Sequence, residues 1–178
     1  MKAIILSGGQ GTRLYPVTTE LPKPMIPLLG RPLLEHILLL LRRSGVTEAA
    51  VTLHCMPEAI RAWFGDGSDW GMRLTYFTED APLGTAGSVG ACREFLEGEE
   101  DFLVLPGDCV CDFDLSSVIA AHRQAGAVAT LLLHKAANPL EYGLVHTDEA
   151  GRVLRFVEKP GWSQVFTNKV NTGIYLFR

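Results

Sequence analysis

Short apolar runs closed by turn residues alternate along this chain with segments of helical period. Residues 2–7 (KAIILS) are an apolar run that Gly8 and Gly9 close, which predicts a buried strand breaking into a glycine loop. Pro16, Pro22, Pro24 and Pro27 then exclude regular structure until about residue 32. A helix is predicted over 32–44, with Pro near its first turn, Arg42 and Arg43 in its last and Gly45 as C-cap. Its Leu and Ile residues cover more than one face, so it should pack on a sheet as a mostly buried element. Residues 49–55 (AAVTLHC), 73–79 (RLTYFTE), 101–105 (DFLVL) and 128–134 (VATLLLH) read as further strands, and 57–64, 84–96 and 115–124 as helices, the last capped by Gly126. Strands and helices alternating in this way predict an α/β fold with a doubly wound, mostly parallel sheet, and in such sheets ligands bind at the carboxyl ends of strands. After Lys135 the pattern changes: 142–147 and 153–158, around a turn at 148–151, predict a β-hairpin, and 170–177 (VNTGIYLF) one more strand.

Composition narrows the classes. The 178 residues, 47% apolar and 20% charged, suit one globular domain with a full core and argue against disorder. With 16 Lys and Arg against 20 Asp and Glu and no basic cluster, nucleic acid is not an expected partner, and any phosphate must be gripped locally. Residues 37–41, inside 33–41, are the longest apolar stretch, far short of the ~20 residues that span a bilayer, so no membrane association is expected. Ser7 and the glycines break the apolar start too early for a secretory signal. Cys55, Cys92, Cys109 and Cys111 are too scattered for a disulfide framework, which points to reduced thiols in a cytoplasm. Cys109 and Cys111 read as small buried residues beside a strand end. The five histidines share no metal or triad spacing, and Trp63, Trp70 and Trp162 read as packing residues.

The strongest chemical signal is Gly8-Gly9-Gln10-Gly11-Thr12-Arg13-Leu14, followed by Pro16, Thr18 and Pro22-Lys23-Pro24-Met25. Three glycines in four positions after a strand let backbone N–H groups converge on one anion, as in phosphate-binding nests. Arg13 and Lys23 add two cations beside that loop. Leu14 stands where a dinucleotide fingerprint needs its last glycine, and no Gly-Lys-Ser/Thr follows as a Walker A loop requires. Asp108 follows the 101–105 strand across Pro106-Gly107, which places a carboxylate at a strand's carboxyl end, a hard ligand suited to Mg²⁺. Asp114, just before Leu115-Ser116, reads as a helix N-cap.

The glycine segment resembles the signature of the sugar-1-phosphate nucleotidyltransferases, the NDP-sugar pyrophosphorylases, and is nearest to their mannose-1-phosphate guanylyltransferase-like branch. Pro82-Leu83-Gly84-Thr85-Ala86-Gly87, Gly107-Asp108, Tyr142-Gly143, Glu158-Lys159-Pro160 and Asn171-Thr172-Gly173-Ile174-Tyr175 extend the resemblance, in order, over nearly the whole chain. It implies a Rossmann-like nucleotidyltransferase fold with a β-hairpin insertion near the C-terminus. It also implies transfer of a nucleotidyl group from a nucleoside triphosphate to a sugar 1-phosphate, with release of pyrophosphate. Mg²⁺ would be the cofactor, and the partners would be the nucleoside triphosphate, the sugar 1-phosphate and, in a homo-oligomer, further copies of the chain.

Carried over residue by residue, the resemblance assigns Arg13 to the β- and γ-phosphates, where its planar fork is suited, Lys23 to the α-phosphate, and Asp108 to the metal. Leu6, Gly8, Gly9, Gly11, Thr12, Arg13, Glu79, Gly84 and Thr85 would bind the nucleotide. Gly143, Glu158, Lys159 and Asn171 would bind the sugar phosphate, Glu158 accepting from hydroxyls and Lys159 neutralising the 1-phosphate. Glu79 stands where relatives using pyrimidine nucleotides commonly carry Gln, and a carboxylate can accept from both N1–H and the 2-amino group of guanine. That favours GTP, with mannose 1-phosphate or a related sugar, over UTP, dTTP or CTP; the bland alternative for Glu79 is a solvated strand-end residue. The family's second metal aspartate lies beyond the last strand, so the resemblance implies a nucleotidyltransferase domain over 1–178 truncated at its C-terminal end. A non-catalytic nucleotide-sensing module is the reading from another class, and the presence of Arg13, Lys23 and Asp108 together favours the enzyme.

Overall fold

A computed structural model describes residues 1–178. They form two compact units, Met1–Ala129 together with Leu176–Arg178, and Thr130–Tyr175. The first boundary falls inside a strand, which is why no linker composition marks it.

In the first unit the chain runs through β1 (Lys2–Ser7), a two-residue hairpin of β2 (Pro27–Leu28) and β3 (Arg31–Pro32), α1 (Leu33–Arg43), β4 (Glu48–Leu53), α2 (Pro57–Phe64), β5 (Arg73–Thr78), α3 (Gly84–Ala91), β6 (Phe102–Pro106) and α4 (Leu115–Ala125). The strands stand in the order β5-β4-β1-β6, and β1 pairs in parallel with both β4 and β6, as β4 does with β5. The chain therefore winds outward from β1 through β4 to β5, then returns to place β6 on the other side of β1. At such a reversal the carboxyl ends of the two central strands border a crevice, the usual ligand position in open α/β sheets.

The core explains the apolar runs. Ala3, Ile4 and Ile5, Ala49 to Val51, and Leu103 to Leu105 are buried. Strands covered on both faces need such continuous runs rather than alternation, and each large aliphatic side chain so buried contributes about 1.5–3 kcal/mol. α1 buries Leu34, Ile37, Leu38, Leu40 and Leu41, more than one stripe, as its sequence predicts. α2 buries Ile60 and Phe64, one turn apart. α4 begins at Asp114, whose side chain accepts from the backbone N–H groups of Ser116 and Ser117, and ends at the left-handed Gly126.

Three expectations are corrected. The helix over 84–96 stops at Ala91, and a 3₁₀ turn over Glu94–Leu96 follows. Gly84, Gly87 and Gly90 make it a weak helix, and the Cys92 N–H bonds back to the Val89 carbonyl at 3.1 Å, tightening the last turn. The proline-rich stretch is not irregular throughout, because Leu29 and Gly30 both adopt left-handed backbone, φ 53° and 78°, the combination a two-residue hairpin turn needs. Trp63 and Trp162 are exposed at 55% and 74%, Trp63 at the flank of the stripe that Ile60 and Phe64 bury. Trp70 does pack, its ring 4.9 Å from that of Phe64.

The second unit is built from β8 (Gly143–Thr147), β9 (Val153–Glu158) and all but the outermost residues of β7 (Ala129–Lys135) and β10 (Lys169–Phe177). β8 pairs antiparallel with β9 and with β10, and β7 pairs with β10. The β8–β9 pair is the hairpin that the sequence predicts, its turn closed by Asp148 N–H donating to the Arg152 carbonyl at 2.9 Å.

Asp101, 5% exposed, ties the first unit together. Its carboxylate accepts from Arg123 Nε at 3.1 Å and lies 3.5 Å from both His122 Nε2 and Arg178 Nε. The Arg123 hydrogen bond, with the nearby His122 and Arg178, holds its carboxyl below the usual carboxylate range against the opposing effect of burial. An unfolded Asp therefore takes up its proton first as the pH drops. The stabilisation is complete above about pH 4, the unfolded value, and is lost as the pH falls through the lower folded value. Asp101→Asn is expected to cost about 2 kcal/mol near neutrality, a drop in Tm of about 4–8 °C, and to flatten the acid limb of a Tm-against-pH curve. An acid limb unchanged by the substitution would show that other groups set it.

Candidate functional site

β1 and β6 lie side by side, Leu6 opposite Pro106, so the segments leaving their carboxyl ends emerge together. Gly8 to Gly11 leave β1 and run into a 3₁₀ turn over Thr12–Leu14. Gly11 is left-handed, φ 65°, and a Cβ there would sit 2.9 Å from Thr18 Cγ2. The Thr18 hydroxyl donates to the Gly11 carbonyl at 2.9 Å, and Leu14 N–H donates to the same carbonyl at 2.9 Å. Backbone shape at this point thus depends on glycine for both its φ and its space.

Lys23 opens a 3₁₀ turn whose next two residues, Pro24 and Met25, are buried. That anchorage aims its ammonium back at the loop, where it forms an ion pair with the Asp108 carboxylate. The two side chains are 28% and 31% exposed, within reach of a ligand. A cavity of about 280 Å³ is bounded by Gly9 to Leu14, Lys23 and Asp108, so the structure brings Gly9, Gly11, Thr12, Arg13, Lys23 and Asp108 together. Backbone N–H groups, a guanidinium and an ammonium around one hollow suit a polyphosphate.

A second cavity of about 240 Å³ adjoins it, lined by Leu6, Gly8, Thr52, Glu79, Gly84 and Thr85. Glu79 is 7% exposed and is not a solvated strand-end residue. Its Oε2 accepts from Leu83 N–H at 3.4 Å, while its Oε1 is buried without a hydrogen-bond partner. Its backbone is held at both ends: the N–H donates to the Leu53 carbonyl at 2.7 Å and the carbonyl lies 2.9 Å from His54 Nδ1. A Cβ on Gly8 would come within 3.4 Å of Oε2. A fixed, buried carboxylate with one oxygen unsatisfied calls for N–H donors from whatever fills the cavity.

The donor set fits Mg²⁺ in a restricted sense. No group of three or more His, Cys, Asp or Glu side chains is placed to hold a metal ion, and Asp108 would supply one hard oxygen ligand. Mg²⁺ commonly takes one or two carboxylates and completes its shell with water and substrate phosphates, which matches a carboxylate on the rim of a polyphosphate hollow. Asp114 is the helix cap described above and not a ligand. Cys109 and Cys111 are half-buried rather than buried. The Cys109 thiol donates to Cys111, which lowers the latter to about 7 and raises Cys109.

The four remaining sequence candidates lie in the second unit. Gly143 pairs with Glu158 across β8 and β9, and the Val170–Leu144 pairing carries Gly143 beside Asn171 on β10. A Cβ on Gly143 would sit 2.5 Å from the Phe156 ring and 2.7 Å from Glu158 Oε2, so both side chains lie over the bare glycine backbone. Lys159 has φ 41°, a left-handed conformation costing on the order of 1–3 kcal/mol and disfavoured again by the proline that follows. Its N–H donates to the Tyr142 carbonyl at 3.1 Å. The Asn171 amide is engaged within β10: Nδ2 donates to the Tyr175 hydroxyl at 2.6 Å and Oδ1 accepts from Gly173 N–H at 3.2 Å.

Reading the sequence missed Ser7, Thr52 and Ser88, which border the two hollows or their junction. In sequence they are strand or helix interior, and nothing in their spacing sets them apart. A larger cavity of about 550 Å³ lies against Leu39, Leu40, Arg42, Arg43 and Val110; none of the orphaned buried atoms borders it, and it is not assigned to the chemistry.

Residues 2–178 match the family described as Nucleotidyl transferase. The chain is 39% identical over 189 residues to a UTP–glucose-1-phosphate uridylyltransferase of Synechocystis sp., and 39% identical over 181 residues to a mannose-1-phosphate guanyltransferase beta-B of Xenopus laevis. Each alignment covers 99% of this chain and 49% of the relative, so the chain spans about half the length of these curated relatives. Among solved structures, a putative glucose-1-phosphate thymidylyltransferase from Bacillus anthracis superposes with a TM-score of 0.90 at 27% identity, covering 99% of this chain and 71% of that one. HddC from Yersinia pseudotuberculosis superposes with a TM-score of 0.84 at 26% identity, covering 99% and 76%.

Proposed function

From the premise that the chain belongs to the nucleotidyl transferase family, we propose that it serves a sugar-1-phosphate nucleotidyltransferase, with GTP as nucleotide and mannose 1-phosphate or a related sugar phosphate as acceptor. The observation that carries this reading is the buried Glu79 carboxylate, one oxygen unsatisfied, in a hollow adjoining the one that Arg13, Lys23 and Asp108 line.

The reaction joins two anions. An oxygen of the sugar phosphate attacks the α-phosphorus, a P–O bond forms, and the bond to the β-phosphate oxygen breaks as pyrophosphate departs. Little covalent work falls to the protein in such a transfer, so positioning and charge compensation dominate. The glycine-loop N–H groups and Arg13 would hold the β- and γ-phosphates, and Lys23 would turn from Asp108 to the α-phosphate, where charge builds on the equatorial oxygens. Mg²⁺ on Asp108 would supply further neutralisation of the phosphates. Glu158 would accept from sugar hydroxyls and Lys159 would compensate the attacking phosphate.

Among the relatives, one is named for UTP and one for mannose-1-phosphate guanylyl transfer at the same identity, so the base preference rests on Glu79. A carboxylate satisfied by N1–H and the 2-amino group suits guanine; uracil offers one N–H beside carbonyl oxygens that repel the carboxylate. Pyrophosphate release over a grid of nucleotides and sugar 1-phosphates, with Mg²⁺, tests the activity. In equilibrium titrations Glu79→Gln is expected to narrow the preference for GTP over UTP by about tenfold or more, the scale on which a site tuned to a hydrogen-bond donor discriminates; an unchanged ratio removes Glu79 from base selection. Lys159→Ala should raise the KM for the sugar phosphate about tenfold while moving that for the nucleotide less than about twofold. Equal effects on both would contradict its assignment.

A further inference from the structure

Ser7, the last residue of β1, is 4% exposed, and its hydroxyl is buried without a hydrogen-bond partner. Its backbone N–H donates to Thr52 Oγ1 at 3.4 Å, and the orphan is the side-chain oxygen. The hydroxyl sits against the segment leaving β6. Gly107 N–H donates to the Leu6 carbonyl at 2.7 Å, and a Cβ on Gly107 would collide with Ser7 Oγ and lie 3.0 Å from the Leu6 carbonyl oxygen. Gly107 gives up a side chain to let Asp108 pass next to this hydroxyl.

Both border a small cavity of about 70 Å³, with Gly9, Lys23 and Asp108 also on its wall. It is roomy enough to admit water, and Lys23 and Asp108 give its wall an ammonium and a carboxylate. Leaving a hydroxyl buried and unpaired costs stability; replacing it with a hydrogen would cost no protein contact. No protein group supplies a partner for the hydroxyl, and the space beside it is the cavity that Asp108 also lines.

We infer that Ser7 is a positioning residue for the divalent cation, its hydroxyl accepting a hydrogen bond from a water in the shell of the ion that Asp108 holds. The inference rests on the assignment of Asp108 to the cation. A cation-bound water is a strong donor, and Mg²⁺ retains several. Asp108 supplies the charge, and Ser7 fixes where the water lies relative to it, in the manner of partners that orient a metal's ligands.

The test compares nucleotide affinity with and without Mn²⁺, by calorimetry and by water-proton relaxation of the bound ion. It uses whichever of GTP and UTP binds the wild type more tightly. Ser7→Ala is expected to lose about tenfold of the Mn²⁺-dependent gain in affinity, with metal-free affinity within about twofold of wild type and a Tm equal to or above it. Asp108→Asn is expected to abolish the gain. If Asp108→Asn abolishes it while Ser7→Ala keeps it, Ser7 has no part in the cation site. If Ser7→Ala loses the gain but melts lower than wild type, its role is structural and the inference fails. If Asp108→Asn keeps the gain, the cation assignment fails and Ser7 falls with it.

Discussion

The ion pair between Lys23 and Asp108 is the interaction on which the candidate site depends. It links two segments that are distant in sequence, the proline-flanked turn after the glycine loop and the segment leaving β6, and it does so where β1 and β6 end side by side. The parallel register of these strands sets the geometry: with Leu6 opposite Pro106, Ser7 meets Gly107, and the next residues diverge around the hollow. The burial of Ile4 and Ile5 in β1 and of Leu103 to Leu105 in β6 holds that register, and with it the position of the Asp108 carboxylate beyond the end of β6.

The pair is also a poised one. Neither side chain is fully buried, so separating them does not strand a charge in the core, and each has a prospective partner in a nucleotide complex: phosphate for the ammonium and a cation for the carboxylate. Next to it the protein retains two unsatisfied oxygens, Ser7 Oγ and Glu79 Oε1. Folded proteins satisfy nearly all their buried polar groups, and these two lie at the phosphate end and the base end of adjoining hollows. Stability withheld at both points is consistent with a pocket shaped for a ligand with N–H donors at one end and a hydrated ion at the other.

Most of the first unit was legible in the sequence because its signals are local. Continuous apolar runs marked the doubly covered strands, Asp114 and Gly126 marked the ends of α4, and the glycine loop with Arg13 and Lys23 marked the candidate anion site. What escaped depends on contacts between distant segments. Ser7 and Thr52 read as strand residues, and their place at the hollows follows only from the alignment of β1 with β4 and β6. The burial of Glu79 depends on His54 and Leu53 gripping its backbone, which no local pattern shows. Trp63 misled because residue type alone does not say which side chains of a short helix face inward, and here Ile60 and Phe64 do. In the second unit the motif residues were visible, yet the left-handed Lys159 and the engagement of the Asn171 amide by Tyr175 and Gly173 required coordinates.

The central claim is that Lys23 and Asp108 compensate each other in the resting protein and exchange partners when a nucleotide enters. Metal-free titration of a nucleoside triphosphate into Lys23→Ala, Asp108→Ala and the double variant measures this directly. The account predicts that Lys23→Ala weakens binding by about tenfold or more, as loss of one charge-assisted contact should. Asp108→Ala should tighten binding, because it removes both a competitor for the ammonium and a negative charge beside the phosphates, and the double variant should not keep that gain. Unchanged metal-free affinity in both single variants would contradict it.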